Sequence, residues 1–320
     1  MKSILCAGCV TTDVIVSPVD ALPEPGQLAA VGSTQVHVGG CAANAAIDLA
    51  KLGMPATLCA VVGDDSFGRF VEDTARAAGV DVSGLVMKKG VETTSSVVCV
   101  DSQGERRFLY NPGSTSAMTA EDVGSAQLER ADIVFIAGAM LLTAFDGGPC
   151  AGLLRAARAA GKYTVMDTAW DFEGIWLPKV APSLPYLDVF MPSYGEASRL
   201  SGLEDPAEMA EFFIGLGAKS VVIKLGEKGA FFREAGGRSY RIAAYNRVKA
   251  VDTTGAGDAF CAGYLCGLAQ GWGMEECGAF ANAVAAHCVT RIGASAGIRP
   301  VEEIRRFMEQ APAGGGELEG

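Results

Sequence analysis

Short apolar runs alternate with amphipathic stretches along most of this chain, and that alternation leaves few folds open. Residues 57–62, 132–137, 163–167, 187–191 and 219–224 read as strands, and 67–78, 149–160 and 206–215 as helices among them. Strand 4–10 and a helix from Asn44 to Leu52, stopped by Gly53, begin the series. Helices near 255–270, 275–290 and 300–309 close it. Strands alternating with helices predict an α/β fold, a parallel sheet covered on both faces. Ligands of such sheets lie beyond the carboxyl ends of the strands. The polar or glycine-rich turns at 11–13, 63–66, 167–168, 193–196 and 224–229 each follow a strand, so all are expected on that edge.

Two stretches, 14–38 and 93–111, break the alternation. Pro18, Pro23, Pro25 and Gly26 make 18–27 a loop, and 29–38 reads as a half-exposed strand. Residues 93–100 and 105–111 read as a hairpin around Ser102-Gln103-Gly104. A sheet this small cannot bury both its faces, so a ligand or a second copy must cover one.

The chemistry concentrates in Asp252-Thr253-Thr254-Gly255-Ala256-Gly257-Asp258-Ala259-Phe260. A Gly-Ala-Gly turn lets backbone N–H groups converge, and the helix behind it adds partial positive charge. Asp258 projects a carboxylate from the first turn, beside that anion hole. A base next to a phosphate cradle is what phosphoryl transfer to a hydroxyl requires. The same residues also fit a helix capped by Thr254.

Composition removes other classes. The 320 residues are 49% apolar and 20% charged, with net charge −11, which is globular. With no basic tract of five residues, nucleic acid is not expected as a partner. No apolar run is long enough to span a membrane. The start, MKSILCAGCV, reads as a buried strand and not as a signal peptide. Ten scattered cysteines suit a reducing cytoplasm, and Cys6 and Cys9, a C-x-x-C inside a strand with no second pair, are not expected to bind zinc or act in redox chemistry. Residues 311–320, APAGGGELEG, read as a disordered tail.

DTTGAGDAF resembles the C-terminal signature of the ribokinase-like (PfkB) carbohydrate kinases, and Gly39-Gly40-Cys41-Ala42-Ala43-Asn44-Ala45-Ala46 resembles their N-terminal one. The resemblance extends over roughly 1–308. It implies a three-layer α/β/α fold with a mostly parallel central sheet. One kinase domain, 1–310, would carry a small β lid from segments near 12–38 and 92–111. It implies ATP-dependent phosphorylation of a primary hydroxyl on a sugar or sugar-like acceptor, with Mg²⁺ and K⁺, and a homodimer through the lid. A nucleoside kinase on the same scaffold is the alternative. A non-catalytic sensor of sugar or nucleotide is a third reading, against which intact Asp258 and Gly255-Ala256-Gly257 argue.

The resemblance also implies roles. Asp258 would be the base and Gly255, Ala256 and Gly257 the anion hole. Its place at a helix start is expected to keep Asp258 ionised. Asp13, Gly39, Gly40 and Asn44 would contact the acceptor, although Asp13 also fits a turn and Asn44 a plain helix start. Lys224, Gly226 and Gly229 resemble the nucleotide loop, and Asn282 matches the adenine pocket. Where the family has Asn-x-x-Glu to order magnesium through water, this chain has Ser193-Tyr194-Gly195-Glu196. Glu196 keeps that role, and a Ser193 hydroxyl can hold a metal-bound water. Potassium would lie between Asp252 and Thr254 and the turn Arg291–Gly297, including Gly293. Asp252 also fits a simple turn cap. Cys41, where true ribokinases tend to carry Lys, and Ala139-Met140-Leu141-Leu142, which offers no Glu, weaken ribose as the acceptor.

Overall fold

The structure, a computed structural model, describes residues 1–245 and 248–310, so the predicted tail lies outside it. Strands are numbered in chain order. The central sheet contains β1 (Ile4–Gly8), β4 (Ala56–Gly63), β5 (Asp81–Lys88), β8 (Ile133–Ala139), β9 (Tyr163–Thr168), β10 (Val189–Phe190), β11 (Ser220–Lys224), β12 (Ala230–Glu234) and β13 (Ser239–Ile242). Their order is β13-β12-β11-β10-β9-β8-β1-β4-β5. Every neighbouring pair is parallel except β11 with β12 and β12 with β13.

Side chains of one strand alternate between the faces, so a doubly covered sheet needs two cores. Both are present. Ile4 and Cys6 of β1 and Phe135 of β8 enter one core with helices Cys41–Lys51, Ala256–Gln270 and Met274–Cys288. Leu5 and Ala7 of β1 and Val134 and Ile136 of β8 enter the other with helices Gly148–Ala159 and Pro206–Gly215. This is the three-layer α/β/α arrangement.

A second sheet holds β2 (Thr11–Ser17), β3 (Ser33–Gly39), β6 (Ser95–Val100) and β7 (Arg106–Asn111), in the order β3-β2-β6-β7. It forms the small lid. Pairing puts His37, Asp13, Ser96 and Tyr110 in one row, and Val36, Val14, Val97 and Leu109 in a row on the opposite face.

Several boundaries differ from the sequence reading. The strand expected at 29–38 begins at Ser33, and that at 187–191 shrinks to Val189–Phe190. The helix expected from Asn44 starts at Cys41, because Gly40 at φ 87° turns the chain directly off β3. β5 is unforeseen. Its Gly84 reads as a breaker, yet a Cβ there would lie 2.3 Å from Cys59 Sγ, so close strand approach demands it. Helix Tyr194–Ser201 is also unforeseen, although its capping box of Ser193 and Glu196 is written in the sequence. Among the described residues, no helix is long and apolar enough to cross a membrane.

Candidate active site

Helix Ala256–Gln270 begins from Gly255 at φ 77°, where an added Cβ would lie 2.5 Å from that of Ala294. Only glycine fits that backbone. No side chain caps this helix, so the expected Thr254 cap is absent. The N–H groups of Gly257 and Asp258 make no hydrogen bond to the described residues. Uncapped first-turn donors are a ready anion site.

Asp258 Oδ2 accepts a hydrogen bond of 2.8 Å from Asn44 Nδ2. Burial pushes the Asp258 carboxyl up from its ordinary range, while Asn44 and the Lys224 ammonium pull it down. Burial thus works against the ionised form that the helix start was expected to favour. Asn44 is buried within its helix, in place of the start position expected, and its Oδ1 has no partner among the described residues.

A cavity of about 800 Å³ opens on one side of Asp258. Lys224, at the end of β11, reaches into it and pairs with Asp167, near the end of β9. Burial opposes the Lys224 charge, but Asp167, the Cys261 thiol and Glu196 hold the ammonium above its ordinary range. A Cβ on Gly257 would lie 3.5 Å from Lys224 Nζ, so the ammonium stands at the anion hole. Gly226, Gly229, Tyr245, Val248 and Val289 wall the far end. Gly229 is obligatory, since a Cβ would lie 1.9 Å from Ile242 O. Asn282 also lines the cavity, but its amide donates to the carbonyls of Ile242 and Ala243, a structural task.

The lid closes the other side. Asp13 lies within β2, not in a turn, and its Oδ1 accepts from Thr11 and Ser96. Gly39 leaves room for it: a Cβ there would lie 2.2 Å from Asp13 Oδ2. Gly40 packs where a Cβ would lie 2.6 Å from Val10 Cα. Cys9 is buried, and desolvation pushes its thiol up to about 12. Tyr110 pairs across the lid with Ser96, which donates to Asp13, and meets Phe172 edge-on, ring centroids 5.8 Å apart.

A family model described as pfkB family carbohydrate kinase matches residues 1–300. The chain belongs to this family. An ATP-dependent ribose-1-phosphate kinase from Halopiger xanaduensis is 32% identical over 296 residues, covering 92% of this chain and 94% of that protein. The structure of ribokinase from Arabidopsis thaliana complexed with ribose and ATP superposes with TM-score 0.84 at 24% identity, covering 96% of this chain and 99% of that one. A putative ribokinase II from E. coli in complex with ATP and Mg²⁺ gives TM-score 0.82 at 24% identity, covering 97% and 100%. The protein is thus a carbohydrate kinase with the ribokinase-like fold.

The metal residues expected from the pfkB resemblance fare differently. Ser193 Oγ accepts from Glu196 N and so caps a helix, which leaves its O–H free to donate; Ser193 also lines the cavity. Glu196 Oε2 accepts 2.8 Å bonds from Ser193 N and Thr168 Oγ1, and Oε1 makes no hydrogen bond to the described residues. One carboxylate at a phosphate cavity fits magnesium, which takes its remaining oxygens from phosphates and water. Among the described residues there is no cluster of three or more His, Cys, Asp or Glu that could hold a metal by itself.

The potassium residues do not fit that ion. Asp252 Oδ1 accepts from Thr254 N and from Arg106, and Oδ2 accepts from Gly293 N, the contacts that the turn-cap alternative calls for. Arg291 is exposed and makes no side-chain hydrogen bond to the described residues. Sequence reasoning missed Arg106, Tyr110, Phe172 and Asp167. Asp167 alone carried a signal, as a carboxylate ending a parallel strand; the other three converge only through the fold.

Proposed function

We propose that this kinase transfers the γ-phosphoryl group of ATP to a primary hydroxyl of a neutral sugar or sugar-like acceptor. The observation that carries the reading is Asp258, held by Asn44 toward the lid and open to the cavity beside Lys224. In its ionised form Asp258 takes the acceptor proton as the hydroxyl attacks. The N–H groups of Gly257 and Asp258 and the Lys224 ammonium receive phosphoryl charge. Gly226, Gly229 and the Tyr245–Val289 wall bind the nucleotide. Magnesium, when bound, neutralises phosphate charge, and Glu196 would hold it through water.

Asp13 and the free Asn44 Oδ1 offer acceptors for sugar hydroxyls. Asp13 accepts from Thr11 and Ser96 and lies in one lid row with His37, Ser96 and Tyr110; no Lys or Arg stands in that row, which favours an uncharged acceptor over a sugar phosphate or sugar acid. Tyr110 and Phe172 supply one specific argument for a nucleoside in place of a sugar, since an aromatic wall can stack a base. The test is ADP release with MgATP and a panel of neutral pentoses, hexoses, nucleosides, sugar phosphates and sugar acids, with ³¹P NMR of the product. A phosphomonoester formed on neutral acceptors is expected. Turnover confined to anionic acceptors, or none on any member, would overturn the reading.

A further inference from the structure

Arg106 belongs to the lid, yet its guanidinium leaves the lid. One Nη donates 2.8 Å to Asp252 Oδ1, 146 residues away, and the other donates to Thr254 Oγ1. Both partners directly precede the Gly255 turn that shapes the anion hole. The Asp252 side chain is only 3% exposed, whereas that of Arg106 is 33% exposed. The pair is therefore a buried carboxylate met by a cation arriving from outside. Burial works against the Asp252 charge; the N–H groups of Gly293 and Thr254, the Thr254 hydroxyl and Arg106 together outweigh it.

Part of the turn that a potassium ion would use is also met by a second cation. Ser295 O accepts 2.6 Å from Lys51 Nζ, and the single Cys288 thiol lies 3.0 Å from Ala294 O and 3.5 Å from Thr254 O. Two fixed cations, Arg106 and Lys51, thus already serve the anionic and carbonyl oxygens of this turn. A third positive charge beside them would meet repulsion.

We propose that Arg106 is a positioning residue that takes the place of a monovalent cation, so that the anion hole is set by contact with the lid and the enzyme does not depend on potassium. The hole is then formed when β7 lies over Asp252, and lid opening releases it. This links closure over the acceptor to assembly of the phosphoryl site, and it rests on the phosphoryl-transfer reading above.

The test uses the full chain, freed of sodium and potassium. Wild type and Arg106→Ala are titrated with KCl, methylguanidinium chloride or tetramethylammonium chloride at matched ionic strength. Wild-type kcat should be the same in all three. In tetramethylammonium, Arg106→Ala should lose at least about tenfold in kcat, and methylguanidinium or potassium should restore it at least about threefold. Merely structural damage would not answer to a small cation. Thermal unfolding without acceptor or nucleotide separates this inference from the functional reading: methylguanidinium or potassium should raise Tm for Arg106→Ala and leave wild type unmoved. Potassium activation of wild type overturns the proposal. So does wild-type kcat in Arg106→Ala, or an Arg106→Ala protein that no small cation improves. If that variant does not fold, the wild-type series decides alone.

Discussion

Asn44 offers the most quantitative perturbation. Its Nδ2 donates 2.8 Å to Asp258 Oδ2, against a burial that pushes the Asp258 carboxyl up. Asn44→Leu keeps the volume and removes the donor. A hydrogen bond to a charged group contributes about 1.5–3 kcal/mol. At about 1.4 kcal/mol per factor of ten, its loss lowers the ionised fraction of Asp258 about 10- to 100-fold wherever the base is not yet fully ionised. The sign is fixed: with the bond gone, desolvation is less opposed, and the acid limb of the pH profile moves to higher pH. Measuring kcat from pH 5.5 to 9 at saturating MgATP and acceptor should therefore show a large deficit at low pH that shrinks as pH rises. The acceptor KM should also rise, since Asn44 Oδ1 is lost with Nδ2. An equal fold-loss at every pH would refute the claim that Asn44 tunes the base.

Three further outcomes are expected. Lys224→Met leaves Asp167 buried and unpaired, so urea unfolding should show a loss of about 3–5 kcal/mol that Asp167→Leu largely restores in the double variant; a single variant as stable as wild type would remove the ion pair from the account. Burial holds the Asp48 carboxyl well above the ordinary carboxylate range, against the opposing pull of Ser295 and Lys51. The folded state therefore binds a proton there that the unfolded chain does not, stability falls as pH rises above that ordinary range, and Asp48→Asn should raise Tm more at pH 8 than at pH 5; a lower Tm at both would contradict this. On the outer lid face Leu109 is 62% exposed in line with Val97 and Val36, and a second lid is the proposed cover: wild type should sediment as a dimer and Leu109→Glu as a monomer, and identical sedimentation of the two would refute it.

The layering was legible because its signal is local. β1 and β8 are apolar runs that send alternate residues to two cores, which is how a doubly covered strand must read. The lid was legible for the converse reason, polar alternation in stretches that break the pattern. β5 was not, because Gly84 serves an approach to Cys59 that no local pattern encodes. Of the candidate site, Asp258 and its glycines could be read from a contiguous stretch. Arg106 could not, since its meaning depends on a partner 146 residues away. Ser193 carried two signals at once: a hydroxyl where a metal motif has an amide is also a helix cap, and the structure shows the cap. For the potassium expectation, spacing identified Asp252 but not the guanidinium that reaches it.

The central claim is that Asp258 removes the acceptor proton. Asp258→Asn preserves size and the contact with Asn44 while removing the base. Single-turnover phosphoryl transfer, measured beside ATP affinity by calorimetry in the same folded protein, tests it most directly. The account predicts a fall of at least about 10²-fold in the transfer rate with ATP affinity nearly unchanged. Transfer at close to the wild-type rate would contradict it.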